Sequence, residues 1–211
     1  MKIGIVGLGL IGGSLGLKLQ RLNHTIYGIA NNEFNEKKAK DKKLANFVSC
    51  DLSLLKKCEL IILALPIKDL ISPSQQLVSS IPQETILTDV GSVKEPIVNK
   101  WENLHPLFIG SHPMAGTEKK GVDSGFEGLF KNAKWIITPT QKSLFCGGVI
   151  IHFAFLKRPS KPESTPCFSV PAIGCDPINK GCKCSHVLTI GSLTEPTSVT
   201  IVSFGIDSTN C

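Results

Sequence analysis

No stretch of this sequence is long and apolar enough to predict a membrane-spanning helix. The longest apolar run beyond the N-terminus, Leu144 to Phe155, falls well short of the roughly 18 residues that such a helix needs. The N-terminal run follows Lys2 as a secretion signal would, but its glycines and the lack of a small-residue cleavage site after Leu17 favour a nucleotide-binding loop. We therefore expect a cytoplasmic protein without membrane association.

The sequence is also poor in aromatic residues. They make up 6% of its 211 residues, and the formal net charge of +6 comes mostly from scattered or paired lysines without interleaved aromatics. Nucleic-acid-binding surfaces cluster their cations on one face or along one helix, often with aromatic residues among them. We interpret these lysines as solvated surface and expect no nucleic-acid partner. Hydrophobic residues at 42% and charged residues at 19% are ordinary for a globular protein.

Cysteine is nearly absent from the first two thirds of the chain. Cys50 and Cys58 precede residue 140, and the other six follow it: Cys146, Cys167, Cys175, Cys182, Cys184 and Cys211. This asymmetry indicates two unlike parts. We predict a dinucleotide-binding domain over residues 1–141 and an irregular or disordered tail over residues 142–211.

The first part opens with a strand, a glycine turn and a helix. The β-branched run from Met1 to Val6 leads into the turn, and a second strand is predicted from Thr25 to Ala30. In such a turn one glycine permits the tight bend, one lets backbone amides approach a pyrophosphate, and one lets the helix pack on the strand. The strand and helix on either side are the context that a dinucleotide fingerprint requires. The predicted cofactor-binding residues here are Gly7, Gly9, Leu10, Ile11 and Gly12.

No carboxylate ends the second strand, where Ala30, Asn31 and Asn32 stand. An NAD site normally has Asp or Glu at this position to bind the ribose hydroxyls, and that carboxylate would repel a 2′-phosphate. Asparagine amides can donate to phosphate oxygens, and Lys37 or Lys38 would add positive charge. We expect NADP rather than NAD, with Asn31 and Asn32 as cofactor-binding residues. The alternative is that the two asparagines only form a turn.

The remainder of the first part alternates between strands and helices. Strands are predicted over residues 59–65, 85–90, 107–110 and 135–138, and helices over 69–80 and 93–102. The expected fold class is α/β, with a Rossmann-type, doubly wound and mainly parallel sheet. Because the carboxyl ends of its strands share one ligand crevice, we add Leu65, Pro66 and Ser92 to the cofactor-binding residues.

His112 is a candidate proton acceptor at the same edge of the sheet, in a loop after a predicted strand. No carboxylate lies within five residues of it, so nothing nearby in sequence would hold it as an imidazolium. A neutral imidazole is the form that accepts a proton. Ser92 is placed to hydrogen-bond the ring and fix its tautomer. We predict that His112 and Ser92 are catalytic; the alternative is that this histidine is a hydrogen-bonded structural residue.

Three segments carry a resemblance to a known family. In order and spacing, MKIGIVGLGLIGGSL, DVGSVK and GSHPMAGTEKKG resemble the prephenate and arogenate dehydrogenases of tyrosine biosynthesis. The resemblance extends over about residues 1 to 140. The neutral end of the second strand is similar to that of the NADP-linked arogenate enzymes of cyanobacterial type.

The resemblance implies a function and roles for three residues. The implied reaction is oxidative decarboxylation of arogenate or prephenate. Hydride leaves the ring carbon that bears the hydroxyl, the hydroxyl proton goes to His112, and the carboxylate departs as carbon dioxide. The resemblance also places Ser92 near the nicotinamide and Glu118 at the mouth of the active site.

The resemblance ends after Gln141. Six prolines interrupt every candidate helix of residues 142–211. The family continues with a helical domain that forms the homodimer, closes over the substrate and supplies an arginine for its carboxylate, and neither Arg21 nor Arg158 matches that arginine. We expect the homodimer interface to be missing. The alternative function is an inactive NADP-binding fragment of a truncated or frameshifted gene, and a lineage-specific replacement domain is a further explanation.

The tail also contains potential zinc ligands. They are Cys175, Cys182, Cys184 and His186, which are residue types that bind zinc. Their spacing does not match a standard zinc motif. We therefore assign no metal site.

Overall fold

The computed structural model describes residues 1–138 and, for their backbone, two strands at 152–155 and 199–202. The rest of the predicted tail lies outside the described residues, and so do Cys175, Cys182, Cys184 and His186. In chain order the elements are β1 (Lys2–Val6), α1 (Leu10–Arg21), β2 (Thr25–Ile29), α2 (Glu33–Asp41), β3 (Phe47–Ser49), the 3₁₀ helix η1 (Leu52–Lys57), β4 (Leu60–Leu63), α3 (Ile67–Ile71), α4 (Gln75–Ser80), β5 (Ile86–Asp89), α5 (Lys94–Trp101), β6 (Phe108–Pro113), the 3₁₀ helix η2 (Val122–Ser124), β7 (Trp135–Thr138), β8 (His152–Phe155) and β9 (Val199–Val202).

Seven strands form one sheet in the order β3-β2-β1-β4-β5-β6-β7. The pairs from β3 to β6 are parallel, and β7 runs antiparallel to β6. β8 and β9 form a separate antiparallel pair. The order, in which β1 stands between β2 and β4, is that of a doubly wound nucleotide-binding sheet, so the predicted fold class is confirmed.

The sheet is covered on both faces, which is why its central strands are continuously apolar. One core includes Ile3 and Ile5 of β1 with Leu15 of α1. The other includes Ile61 of β4 and the fully buried Trp101 of α5. Within the described residues, none of the helices combines the length and the apolar character that crossing a bilayer requires.

Two glycines of the predicted turn have conformational or steric reasons to be glycine. Gly7 has φ +92°, a region that side chains with a Cβ rarely occupy. A Cβ on Gly12 would collide with the carbonyl oxygen of Gly7. The first glycine therefore makes the bend, and Gly12 allows α1 to begin directly against it.

Three parts of the structure differ from the sequence predictions. The helix predicted over residues 69–80 is split into α3 and α4, because Pro73 lacks an amide hydrogen and restricts the residue before it. α2 and β3 were not predicted. β6 continues to Pro113, and the register pairs His112 with Ile136 of β7. The histidine therefore lies in a strand, and the prediction that it lies in a loop was wrong.

Candidate functional site

A cleft of about 590 Å³ lies along the carboxyl edge of the parallel strands. Five strand ends contribute to it: those of β1, β2, β4, β5 and β6. Of the predicted site residues the cleft brings together Gly7, Gly9, Leu10, Ile11, Asn31, Leu65, Pro66, Ser92 and His112. Gly12, Asn32 and Glu118 are not among its lining residues. The sheet topology thus brings together residues that are far apart in sequence, as expected for parallel strands whose carboxyl ends share one ligand crevice.

The glycine turn forms the floor of the cleft at the start of α1. Gly9 is the residue that precedes the helix, and the first turn carries no acidic side chain. The first amides of a helix have no partner within it and favour an anion. A Cβ added to Gly9 would meet no heavy atom within 4 Å. The open space at Gly9 fits the close approach of a pyrophosphate to the backbone.

The two asparagines after β2 have different roles in the structure. Asn31 lines the cleft, and its Oδ1 accepts a hydrogen bond from Asn35 Nδ2 at 2.7 Å. This leaves the amide hydrogens of Asn31 available to a ligand. Asn32 instead caps α2, because its Oδ1 accepts from the backbone amide of Asn35 at 2.8 Å. The turn-forming interpretation therefore describes Asn32 better than Asn31.

The cationic residues of the cleft were not the predicted ones. Lys38 Nζ lies 2.6 Å from Asp123 Oδ2 and 4.6 Å from the centroid of the Phe34 ring. Neither Lys37 nor Lys38 lines the cleft, whereas Lys119 and Lys120 do. The signal in the sequence was the lysine pair within GTEKKG, a segment in which the resemblance assigns a role only to Glu118.

His112 is half-buried, and its tautomer is set by the backbone. Its Nδ1 lies 3.0 Å from the carbonyl oxygen of Val90. A carbonyl oxygen can only accept a hydrogen bond, so in this arrangement Nδ1 carries the hydrogen and the lone pair of the neutral ring is on Nε2. The sequence had assigned this orienting role to Ser92; Val90 performs it. Ser92 is an exposed residue lining the same cleft.

A buried ion pair that was not predicted from the sequence lies next to the strand ends at Val90 and His112. Asp89 is fully buried, and Lys94 Nζ lies 2.7 Å from its Oδ1. The Asp89 carboxylate also accepts from the amides of Gly91 at 2.8 Å and Ser111 at 3.1 Å. Lys94 Nζ donates in addition to the carbonyl oxygen of Ser111 at 2.6 Å. The pair therefore joins the strand end at Val90 to the residue that precedes His112.

Burial and the neighbouring charge shift the pKa of Lys94 in opposite directions. Burial lowers the pKa of Lys94, and the Asp89 carboxylate opposes that shift. The segment DVGSVK contained a signal for this pair, because it places acidic Asp89 before the strand-to-helix turn and basic Lys94 after it. Nothing in the sequence, however, indicates that both side chains turn inward.

Comparison with known proteins identifies the family of this nucleotide-binding domain. Residues 14–144 match a family model described as prephenate dehydrogenase, nucleotide-binding domain. The chain is 34% identical over 151 residues to prephenate dehydrogenase of Bacillus subtilis, an alignment that covers 66% of this chain and 39% of the relative. The matched family model confirms the predicted resemblance.

Solved structures give the same result. Synechocystis arogenate dehydrogenase is 40% identical, with a TM-score of 0.65, over 68% of this chain and 51% of that one. Prephenate dehydrogenase from A. aeolicus, in complex with hydroxyphenyl propionate and NAD+, is 31% identical with a TM-score of 0.62, over 68% and 52%. The chain thus spans about half the length of these structures and 39% of the Bacillus relative.

Proposed function

The chain belongs to the prephenate dehydrogenase family through its nucleotide-binding domain, and from that premise we propose that it serves NADP-dependent oxidative decarboxylation of arogenate or prephenate. The step would belong to tyrosine biosynthesis in the cytoplasm. The observation that carries the proposal is the shared cleft: the glycine turn and His112 line the same space, and the contact of Nδ1 with the Val90 carbonyl leaves Nε2 to accept a proton. A nucleotide and a proton acceptor are the two components that the reaction needs.

In this mechanism the described residues bind, orient and take up a proton. The amides of the glycine turn would hold the pyrophosphate of NADP, and the cofactor would supply the hydride acceptor when bound. Nε2 of His112 takes the proton of the ring hydroxyl as the hydride leaves the ring carbon that bears this hydroxyl. When the substrate carboxylate departs as carbon dioxide, its electron pair turns the ring carbonyl into a phenolate, and the His112 imidazolium returns the proton to give the phenol. Throughout, Nδ1 of His112 keeps its hydrogen bond to Val90, which also suits the imidazolium that forms.

A direct test is the formation of NADPH by the purified chain. We expect absorbance at the NADPH band to rise when arogenate or prephenate is added with NADP, and to stay flat with NADP alone. Comparing the two substrates assigns the preferred one. Bound NADP without any NADPH formation on either substrate would contradict the proposal.

That contrary outcome corresponds to the second candidate, an NADP-binding protein without turnover. One observation favours it. The substrate is an anion, but no arginine lines the cleft in the part of the chain that the structure describes. Arg21 pairs instead with Glu127 Oε2 at 2.5 Å on the surface. An arginine clamp for the substrate carboxylate would have to come from outside the residues that line this cleft.

The preference for NADP is supported by the residues after β2. Asn31 faces the cleft with amide hydrogens to donate, and no acidic side chain ends that strand. We expect NADP to bind more tightly than NAD and Asn31→Asp to reverse the order, because a carboxylate accepts from ribose hydroxyls and repels a 2′-phosphate. Fluorescence titration with both nucleotides measures the ratio of the two dissociation constants.

The matched control for this substitution is Asn99→Asp, which makes the same charge change on the exposed face of α5. It should leave the NADP to NAD ratio of the parent unchanged. Tighter binding of NAD than NADP by the unaltered chain would refute the proposed cofactor.

A further inference from the structure

The loop after β6 is fixed against the two helices that flank the cleft. Asp123 of η2 lies 2.6 Å from Lys38 Nζ and 3.5 Å from Lys42 Nζ, at α2 and just after it. The amide of Phe126 donates to Ser14 Oγ of α1 at 3.0 Å. These contacts hold η2 beside the C-terminal half of α2 and the N-terminal half of α1. The segment that precedes η2 is therefore brought to the rim of the cleft.

Lys119 and Lys120 stand at that rim. They line the cleft together with Asn31 and Asn35, and Gly121 behind them makes the turn into η2 with φ +85°. Neither lysine forms an ion pair with any residue of the range 1–138. Among the lysines of α2, Lys38 and Lys40 are paired with carboxylates, and Lys37 does not line the cleft. The free positive charge at this end of the cleft thus comes from the loop.

We propose that Lys119 and Lys120 bind the 2′-phosphate of NADP and so determine the cofactor preference of this chain. The inference rests on the proposed NADP-dependent function. NADP carries a pyrophosphate and a 2′-phosphate, and the pyrophosphate belongs at the glycine turn. The loop that carries the two lysines is instead held against α2 through Asp123. α2 follows β2, at the end of such sites where the ribose binds. A phosphate dianion placed there meets two ammonium groups, and charge-assisted hydrogen bonds of this kind are stronger than neutral ones.

The proposal separates two contributions to cofactor choice. Asn31 and the missing carboxylate after β2 permit a 2′-phosphate, whereas the loop lysines attract it. NAD carries only an uncharged hydroxyl at that position, so neutral replacements of the lysines should affect mainly NADP. Because both lysines are exposed, their contribution should also fall as salt is added.

The test is the double variant Lys119→Gln/Lys120→Gln, titrated with NADP and with NAD. We expect the dissociation constant of NADP to rise about tenfold or more, with that of NAD changed by less than about twofold. The matched control is Lys56→Gln/Lys57→Gln, an adjacent exposed pair on η1 that does not line the cleft. It removes the same charge and should leave both constants as in the parent. Equal thermal midpoints of the two double variants verify that folding is not involved.

Each contrary result has its own meaning. Equal weakening of NADP and NAD would assign the lysines to the pyrophosphate or to general attraction, and overturns the inference. Unchanged NADP binding overturns it as well, and if Asn31→Asp still reverses the preference, the proposed cofactor stands without it. A parent chain that binds neither nucleotide overturns the proposed function and this inference together.

Discussion

Replacing His112 by asparagine is expected to lower turnover by about 10²- to 10⁴-fold, the range that a positioned general base contributes. Asparagine has an amide that can donate to the Val90 carbonyl as Nδ1 does, but it has no group that accepts a proton near neutral pH. The turnover of His112→Asn is measured in a fusion that joins residues 1–138 to the remaining part of Synechocystis arogenate dehydrogenase. NADP affinity should stay within about twofold of the parent value, because the glycine turn and the loop lysines are intact.

The control for His112→Asn is Ser92→Ala. The tautomer of His112 is set by Val90, 3.0 Å from Nδ1, so removing the Ser92 hydroxyl should cost much less turnover than removing the imidazole. If Ser92→Ala were as damaging as His112→Asn, the serine would have the orienting role that the sequence first suggested. A loss of less than about tenfold in His112→Asn would mean that the histidine is not the base.

Much of this fold was predictable because its signals are local. The run from Met1 to Val6, the glycine turn and the neutral strand end are each contained in a few residues, and parallel-sheet topology then brings the strand ends together. The same reasoning missed α2, whose residues Glu33–Asp41 are so polar that only Ala39 is buried. A helix that buries one small side chain has almost no hydrophobic periodicity to detect.

The site was less predictable because its decisive contacts are long-range. The bond between His112 and Val90 joins residues 22 positions apart, and the contact between Lys38 and Asp123 joins residues 85 apart. Sequence proximity suggested Lys38 as a phosphate ligand because it follows β2 closely. The fold gives that lysine a carboxylate partner and brings other lysines to the cleft. Residue types can be read from a sequence, but their pairing depends on tertiary contacts.

The ion pair of Asp89 and Lys94 explains an otherwise unfavourable placement. Lys94 is the first residue of α5, where the helix dipole disfavours a positive charge. Its ammonium instead lies between the buried Asp89 carboxylate and the Ser111 carbonyl oxygen. Since Asp89 is fully buried, it depends on that cation and on two backbone amides for its stability as an anion. The pair thus secures the two strand ends that hold His112 in place.

Replacing Lys94 by methionine is therefore expected to lower the free energy of unfolding by about 3–5 kcal/mol, because it leaves an uncompensated buried carboxylate. Urea denaturation followed by circular dichroism measures this change. Lys100→Met removes an exposed lysine from the same helix, and it should cost less than about 1 kcal/mol. The double variant Asp89→Asn/Lys94→Met removes both charges and should recover part of the lost stability. If the single and double variants were equally unstable, lost packing rather than the stranded charge would be the cause, and Lys94 would not act through Asp89.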